Sequence, residues 1–146
     1  CAFFALQGID LADFDFTPVG RDMSDPRIDA AVLIDPGIIQ VVTQDSLGTI
    51  TTPTLLVNLG APGTVPLGVD ASTAVTHMPD VTYTHVNDAI HFSFLAECWP
   101  RGASILENEG ELDPLCDDAG SRDRADIHAE LSDMIVGYLD DHFGAE

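Results

Sequence analysis

A histidine on a short polar turn is the residue of this chain best suited to acid–base chemistry. His91 follows a β-rich run, Val81–Val86, and precedes a segment whose apolar face consists of Phe92, Leu95 and Ala96. A histidine held between a strand and a helix can present one ring nitrogen to a cleft while a group behind it orients the other. This context indicates a general base at His91. A half-buried loop histidine without a chemical role fits the same pattern.

A carboxylate at the end of an earlier strand is a suitable partner for that imidazole. Asp35 closes the apolar run Ile28–Ile34 and begins an Asp-Pro-Gly sequence. In an open parallel sheet the carboxyl ends of the strands share one rim, so Asp35 and His91 can meet there. An aspartate bonded to one imidazole nitrogen fixes the tautomer and stabilises the imidazolium, as in the back half of a nucleophilic triad. Asp-Pro-Gly is also an ordinary turn, which leaves a purely structural Asp35 open.

Three apolar runs predict the strands that position these two residues. They cover Ile28–Ile34, Thr51–Gly60 and Val81–Val86, and the first two lack the alternation of a half-exposed strand. Continuous apolar strands separated by crossovers are typical of a parallel sheet covered on both faces. We therefore expect one α/β domain over residues 1–146, with helices flanking a parallel sheet of three strands.

The spacing of apolar residues predicts three helices. Residues 1–8 have the pattern of a buried helix that ends at Gly8, and a short helix is expected from Gly68 to Thr76. The clearest helix spans Asp123–Phe143 and is opened by acidic residues, which favour a helix N-terminus. One amphipathic stripe along it is formed by Ile127, Leu131, Met134, Ile135, Tyr138, Leu139 and Phe143.

The charge balance argues against several classes of partner. The chain has 25 acidic residues, five arginines and no lysine, which gives a formal net charge of −20 at pH 7. Such a surface repels nucleic acids and anionic membranes, and no apolar run is long enough to span a membrane. Lysine depletion with an acidic excess suits a halophilic protein, because salt screens the self-repulsion. An acidic protein from a GC-rich genome is an equal alternative.

The cysteines bear on the compartment of the protein. None has the close paired spacing of a zinc site, and neither a metal nor a cofactor is expected. Cys98 and Cys116 flank a loop rich in glycine, proline and acidic residues, and a disulfide between them would indicate a secreted or periplasmic protein. Two buried thiols are the alternative. The chain starts at Cys1 with neither an initiator methionine nor a signal peptide, which we interpret as an internal start.

Five segments give the chain a resemblance to the C-terminal half of α/β-hydrolases. The segments are Asp25–Pro36, Pro53–Val57, His91–Leu95, Cys116–Asp118 and Asp123–His128. The dienelactone-hydrolase-like and platelet-activating-factor-acetylhydrolase-like esterases are the most similar groups. The resemblance rests on strand-and-loop context and implies hydrolysis of a small-molecule or polymeric carboxylic ester without a cofactor.

By that resemblance Asp35 matches the acid of the catalytic triad and His91 its base. Many α/β-hydrolases place the acid after the next strand, but the loop Gly60–Pro66 offers no carboxylate before Asp70. This absence favours Asp35. His85 is the rival base, although it lies within a predicted strand. The histidines without a matching carboxylate context are His77, His128 and His142.

The nucleophile of such an enzyme is missing from the sequence. Neither a Gly-x-Ser-x-Gly elbow nor the loop that would donate an oxyanion-hole N–H is present. Cys1 is expected within the first helix rather than on a strained turn, so it does not replace the serine. We expect an ester hydrolase whose nucleophile-bearing N-terminal half is not in this chain. The alternative is a truncated or degenerate, non-catalytic module that acts in binding or assembly.

The missing half also implies an exposed sheet edge. In the family order, the strand Ile28–Ile34 pairs with a strand that precedes the nucleophile, and this sequence does not contain that partner. An open apolar edge is a template for aggregation. We therefore expect another copy, another chain or another segment of the same polypeptide to cover it.

Overall fold

A three-stranded parallel sheet lies at the centre of the computed structural model. The strands are β1 (Ala31–Ile34), β2 (Thr54–Leu59) and β3 (Val81–Val86), and they lie side by side in chain order. The central β2 pairs with both neighbours, with Ile34 of β1 opposite Val57. Three parallel strands with flanking helices confirm the predicted α/β class.

The structure describes residues 2–118, 120 and 122–144, without the side chains of residues 2 and 3. Cys1, and with it the question of whether it replaces a nucleophile, lies outside the described residues. The α-helices of the described part are α1 (Ala2–Leu6), α2 (Gln44–Gly48), α3 (Gly102–Glu109) and α4 (Arg124–Phe143). Short 3₁₀ helices span Leu11–Asp13, Thr17–Gly20, Ile39–Val41, Ala74–His77 and His91–Phe94.

Each face of the sheet is covered by its own apolar cluster. On one face, Leu55, Val57 and Leu59 of β2 pack with Ile127 and Leu131 of α4. The other face carries a cluster formed by Leu56, Ile39, Leu47, Ala71, Ala74 and Met78. All six residues of β2 are buried, as expected for a central strand between two layers. Full burial of one leucine side chain stabilises the fold by about 1.5–3 kcal/mol.

The C-terminal helix matches its prediction to within one residue. It begins at Arg124, directly after Asp123, and ends at Phe143. The first half of the predicted apolar stripe enters the core, whereas Phe143 at its far end is 56% exposed. Among the described residues, no helix is long and apolar enough to cross a membrane.

The helix predicted from Gly68 to Thr76 is wrong. Turns occupy most of this segment, and only the 3₁₀ helix Ala74–His77 forms near its end. The carboxylate of Asp70 accepts a hydrogen bond from the backbone N–H of Ser72 at 2.9 Å. This local turn competes with helical hydrogen bonding for the same backbone groups. The segment therefore forms turns rather than a continuous helix.

Other boundaries also differ from the prediction. The first strand begins at Ala31 rather than at residue 28, and α3 was not predicted. His91 is the first residue of a single 3₁₀ turn rather than the residue before a longer helix, because the chain becomes extended again at Leu95. The prediction that the first helix is buried is wrong for the side chains that the structure describes. Phe4 is 41% exposed and Leu6 is 84% exposed, since α1 is short and long turns separate it from the sheet.

The outer edge of β1 remains open within the described part of the chain. There β1 pairs with β2 alone, and Leu33 is 36% exposed. The expectation that another segment of this chain covers the edge is therefore not met among the described residues. Coverage by a second copy, by a second chain or by a segment of the polypeptide outside these residues stays a prediction.

We expect the 146-residue chain to self-associate through this edge as its concentration rises. Light scattering coupled to size-exclusion chromatography measures the association, and high salt should strengthen it by screening the charge of −20. The variant Leu33→Lys places a cation on the edge and should reduce association. A stable, cooperatively unfolding monomer at all concentrations would contradict the prediction.

Candidate active site

Asp35 stands in a strained backbone conformation at the carboxyl end of β1. Its φ of 44° lies in the left-handed region, which residues other than glycine, asparagine and aspartate rarely adopt. Its N–H still donates to the carbonyl of Val57 at 2.9 Å, so the chain turns away only after the last ladder bond. Strained positions of this kind cluster at functional sites, because the surrounding structure must hold them.

The carboxylate of Asp35 is buried, and its two oxygens have different partners. Oδ1 accepts hydrogen bonds from the side-chain amide of Asn58 and from the backbone N–H of Leu59, both at 2.7 Å. Oδ2 lies 3.1 Å from Nδ1 of His91. Because the Asp35 side chain is 0% exposed, these bonds replace the hydration that the carboxylate loses.

His91 meets Asp35 as predicted, and the expected contact distance is confirmed. Its Nδ1–H donates to Oδ2 of Asp35, since a carboxylate can only accept. This tautomer leaves the lone pair on Nε2, and no described residue forms a hydrogen bond with that nitrogen. The side chain is 31% exposed, and its ring makes edge contacts with Phe92 and Phe94. The pair thus has the geometry of a general base oriented by an acid.

The short helix that carries His91 is held against α4. Nε2 of His128 lies 2.9 Å from the carbonyl oxygen of Ser93. The hydroxyl of Ser93 is buried and accepts from the N–H of Ile90 at 3.0 Å. Ser93 is therefore a structural residue of this turn, and it is too enclosed to act as a nucleophile.

A disulfide and a buried arginine fix the chain beyond His91. Cys98 and Cys116 are bonded, which confirms the predicted pairing. Arg124 is 5% exposed and donates to the carboxylate of Asp118 and to the carbonyls of Ala96 and Asp117. These bonds join the start of α4 to both ends of the disulfide loop. They hold the chain that follows the histidine turn in place.

The rival acid and base are engaged elsewhere. Nδ1 of His85 lies 3.0 Å from the carbonyl of Gly60, and its ring contacts Tyr83. Hydrogen bonds from Ser72 lower the pKa of Asp70, with a smaller contribution from the nearby His85. Neither residue forms a direct pair like that of Asp35 and His91.

One residue that supports Asp35 was not predicted from the sequence, and Tyr83 bonds to it from outside the site. Asn58 is fully buried on β2, and its Oδ1 accepts from the hydroxyl of Tyr83 at 2.8 Å. Burial raises the pKa of Tyr83, and the charges of Asp70 and Asp35 raise it further, so the phenol remains a donor at neutral pH. The only signal for Asn58 in the sequence was a polar residue within an apolar strand.

A cleft opens beside the histidine turn at the carboxyl ends of β2 and β3. Its volume is about 350 Å³, and its walls include Gly60, Thr64, Asn87 and Ile90. A Cβ atom on Gly60 would lie 3.2 Å from the hydroxyl oxygen of Thr64, and φ there is +127°, so glycine is required. Open parallel sheets bind their ligands at this rim.

The described residues contain no group of three or more histidine, cysteine or acidic side chains that could hold a metal ion. No protein-family model, curated protein or solved structure matches the chain. The α/β-hydrolase resemblance therefore stays a prediction. The chemistry of the site bears on function more directly than the fold does, because one fold can carry many activities.

Proposed function

We propose that the chain carries the acid and the base of a serine-dependent carboxylic-ester hydrolase of the α/β-hydrolase type. The observation that supports this proposal is the pairing of a buried Asp35 with Nδ1 of a half-exposed His91. In this role Asp35 orients the imidazole and stabilises its protonated form, and Nε2 of His91 accepts the proton of an attacking hydroxyl.

The attacking serine is proposed to come from outside these 146 residues. No described serine forms a hydrogen bond with His91, and Ser121 lies outside the described residues. The hydroxyls of Ser46 and Ser104 bond to their own turns, and that of Ser93 is buried. A separate segment that delivers a serine to Nε2 would complete the triad.

The proposed reaction proceeds in two half-reactions. The serine oxygen bonds to the acyl carbon while Nε2 of His91 takes its proton, and the resulting tetrahedral intermediate expels the alcohol, which receives that proton. Water then repeats the sequence on the acyl-enzyme and releases the acid and the free serine. Each proton therefore passes through the same nitrogen.

The cleft beside the histidine turn and the net charge support a substrate class. The rim cleft is lined mainly by small and apolar residues, together with Thr64, Asn87 and Asp88. The charge of −20 disfavours polyanions, including nucleic acids. A neutral ester, either a small molecule or a polymer, is the proposed substrate, and neither a metal nor an organic cofactor takes part.

A fluorophosphonate probe tests this proposal, because it labels a serine only where a general base activates it. We expect labelling of the wider polypeptide that supplies the serine, together with hydrolysis of p-nitrophenyl butyrate. The 146-residue chain alone should be neither labelled nor active. An unlabelled, inactive wider polypeptide would favour the non-catalytic module instead.

A further inference from the structure

We infer that Asn58 is a positioning residue, whose side-chain amide fixes the orientation of the Asp35 carboxylate so that one of its oxygens faces Nδ1 of His91. The inference rests on the proposed function, since the orientation of the pair matters to a reaction only if His91 accepts a proton. The evidence is the set of bonds around an amide that is 0% exposed in the interior of β2.

All of the hydrogen-bonding capacity of the Asn58 amide is used. Nδ2 donates to Oδ1 of Asp35 at 2.7 Å and to the carbonyl of Val69 at 2.8 Å. Oδ1 accepts from the N–H of Ala71 at 3.0 Å and from the hydroxyl of Tyr83 at 2.8 Å. An amide has two N–H donors and an oxygen with two lone pairs, so no group is left unpaired.

The chemistry of these partners permits only one orientation of the amide. If the amide turned over, its NH₂ group would face the N–H of Ala71, which can only donate. Its oxygen would face the carbonyl of Val69 and the carboxylate of Asp35, which can only accept. Leaving such buried groups unpaired costs about 1–3 kcal/mol for each group. The orientation of Asn58 is therefore fixed by Val69 and Ala71, which lie in the loop after β2.

The fixed amide in turn controls the carboxylate. Two donors, from Asn58 and Leu59, lie on the same oxygen of Asp35, and this leaves the second oxygen for His91. Without Asn58, the N–H of Leu59 alone would oppose rotation of the carboxylate about its Cβ–Cγ bond. The contact with His91 would then lose its fixed direction, although both partners would still be present.

The variant Asn58→Leu tests the inference by NMR and by kinetics on the same polypeptide. In the unmodified protein, the proton on Nδ1 of His91 should give an observable resonance because it is hydrogen-bonded to Asp35. Nε2 should be unprotonated. In Asn58→Leu we expect this proton to exchange with water and its resonance to disappear. We expect kcat to fall roughly 10- to 100-fold, by analogy with the loss found for residues that orient metal-ligating histidines. KM should stay within about twofold, because Asn58 does not touch the substrate.

Tyr83→Phe is the matched control. It removes one bond to the oxygen of Asn58 and leaves both N–H donors of the amide in place. We expect it to lower stability but to keep the His91 resonance, with kcat within about threefold of the original. A structural role for Asn58 would instead make the two variants alike. If circular dichroism shows that Asn58→Leu does not fold, Asn58→Ser replaces it, since its hydroxyl is too short to reach Asp35.

Retention of the His91 resonance in a folded Asn58 variant would overturn the inference, even if turnover fell. Loss of the resonance in Tyr83→Phe as well would also overturn it. Failure of the proposed function has a different signature, namely that no form of the polypeptide hydrolyses esters. The resonance still decides the role of Asn58 in that case.

Discussion

Replacement of His91 by alanine is expected to abolish ester turnover. The Nε2 atom of His91 is the proposed acceptor of the serine proton and the donor to the leaving alcohol, so the variant loses both proton transfers. Loss of the base from such a triad lowers kcat roughly 10⁴- to 10⁶-fold. The measurement is the steady-state rate of the wider polypeptide with a chromogenic ester, checked by loss of fluorophosphonate labelling.

Two histidine variants serve as controls for that result. His77→Ala changes a histidine outside the pair and should leave the rate within about threefold. His85→Ala removes the rival base, whose ring nitrogen faces the carbonyl of Gly60 rather than a carboxylate, and should retain most of the activity. If His91→Ala kept its activity and His85→Ala lost it, His85 rather than His91 would be the base.

The contact between Asp35 and His91 could be predicted because it follows from the topology of parallel strands. Both residues come after the carboxyl ends of apolar runs, and such ends share a rim regardless of the details of the loops. The helix Arg124–Phe143 was predictable for a related reason. Its apolar stripe extends over several turns, so errors at single residues do not change the pattern.

The contacts of Asn58 could not be predicted in this way. A polar residue in a buried strand indicates a hydrogen-bond partner but does not say which one, and its partners Asp35, Val69 and Tyr83 lie 11 to 25 residues away in sequence. The helix predicted at residues 68–76 is absent for a local reason rather than a long-range one. A local turn at Asp70 outweighed the weak helical preference of a short segment.

The hydrogen bonds of the site form a chain in which each residue orients the next. The loop after β2 fixes Asn58, Asn58 and Leu59 fix Asp35, and Asp35 fixes the tautomer of His91. Because each step uses buried or half-buried groups, water does not compete strongly for the bonds. A substitution of Asp35 that keeps an oxygen for the donors of Asn58 and Leu59 should therefore act through the direction of one hydrogen bond rather than through loss of fold.

Asp35→Asn is the substitution that isolates this effect. Asparagine tolerates the left-handed backbone that Asp35 adopts at φ 44°, so the fold should persist. The donors from Asn58 and Leu59 hold the oxygen of the new amide on their side, which points its NH₂ group at Nδ1 of His91. Nδ1 must then accept a hydrogen bond, and the ring proton moves to Nε2.

A histidine protonated at Nε2 cannot accept the serine proton, so we expect turnover to fall roughly 10⁴-fold with folding intact. NMR should show the ring proton of His91 on Nε2 instead of Nδ1, and thermal unfolding should remain cooperative. Asp70→Asn is the matched control and should change the rate little, because its carboxylate bonds to Ser72. An unchanged rate in Asp35→Asn together with a large loss in Asp70→Asn would assign the acid to Asp70. It would also mean that the partly buried contact at 3.1 Å orients a histidine that does not act as the base.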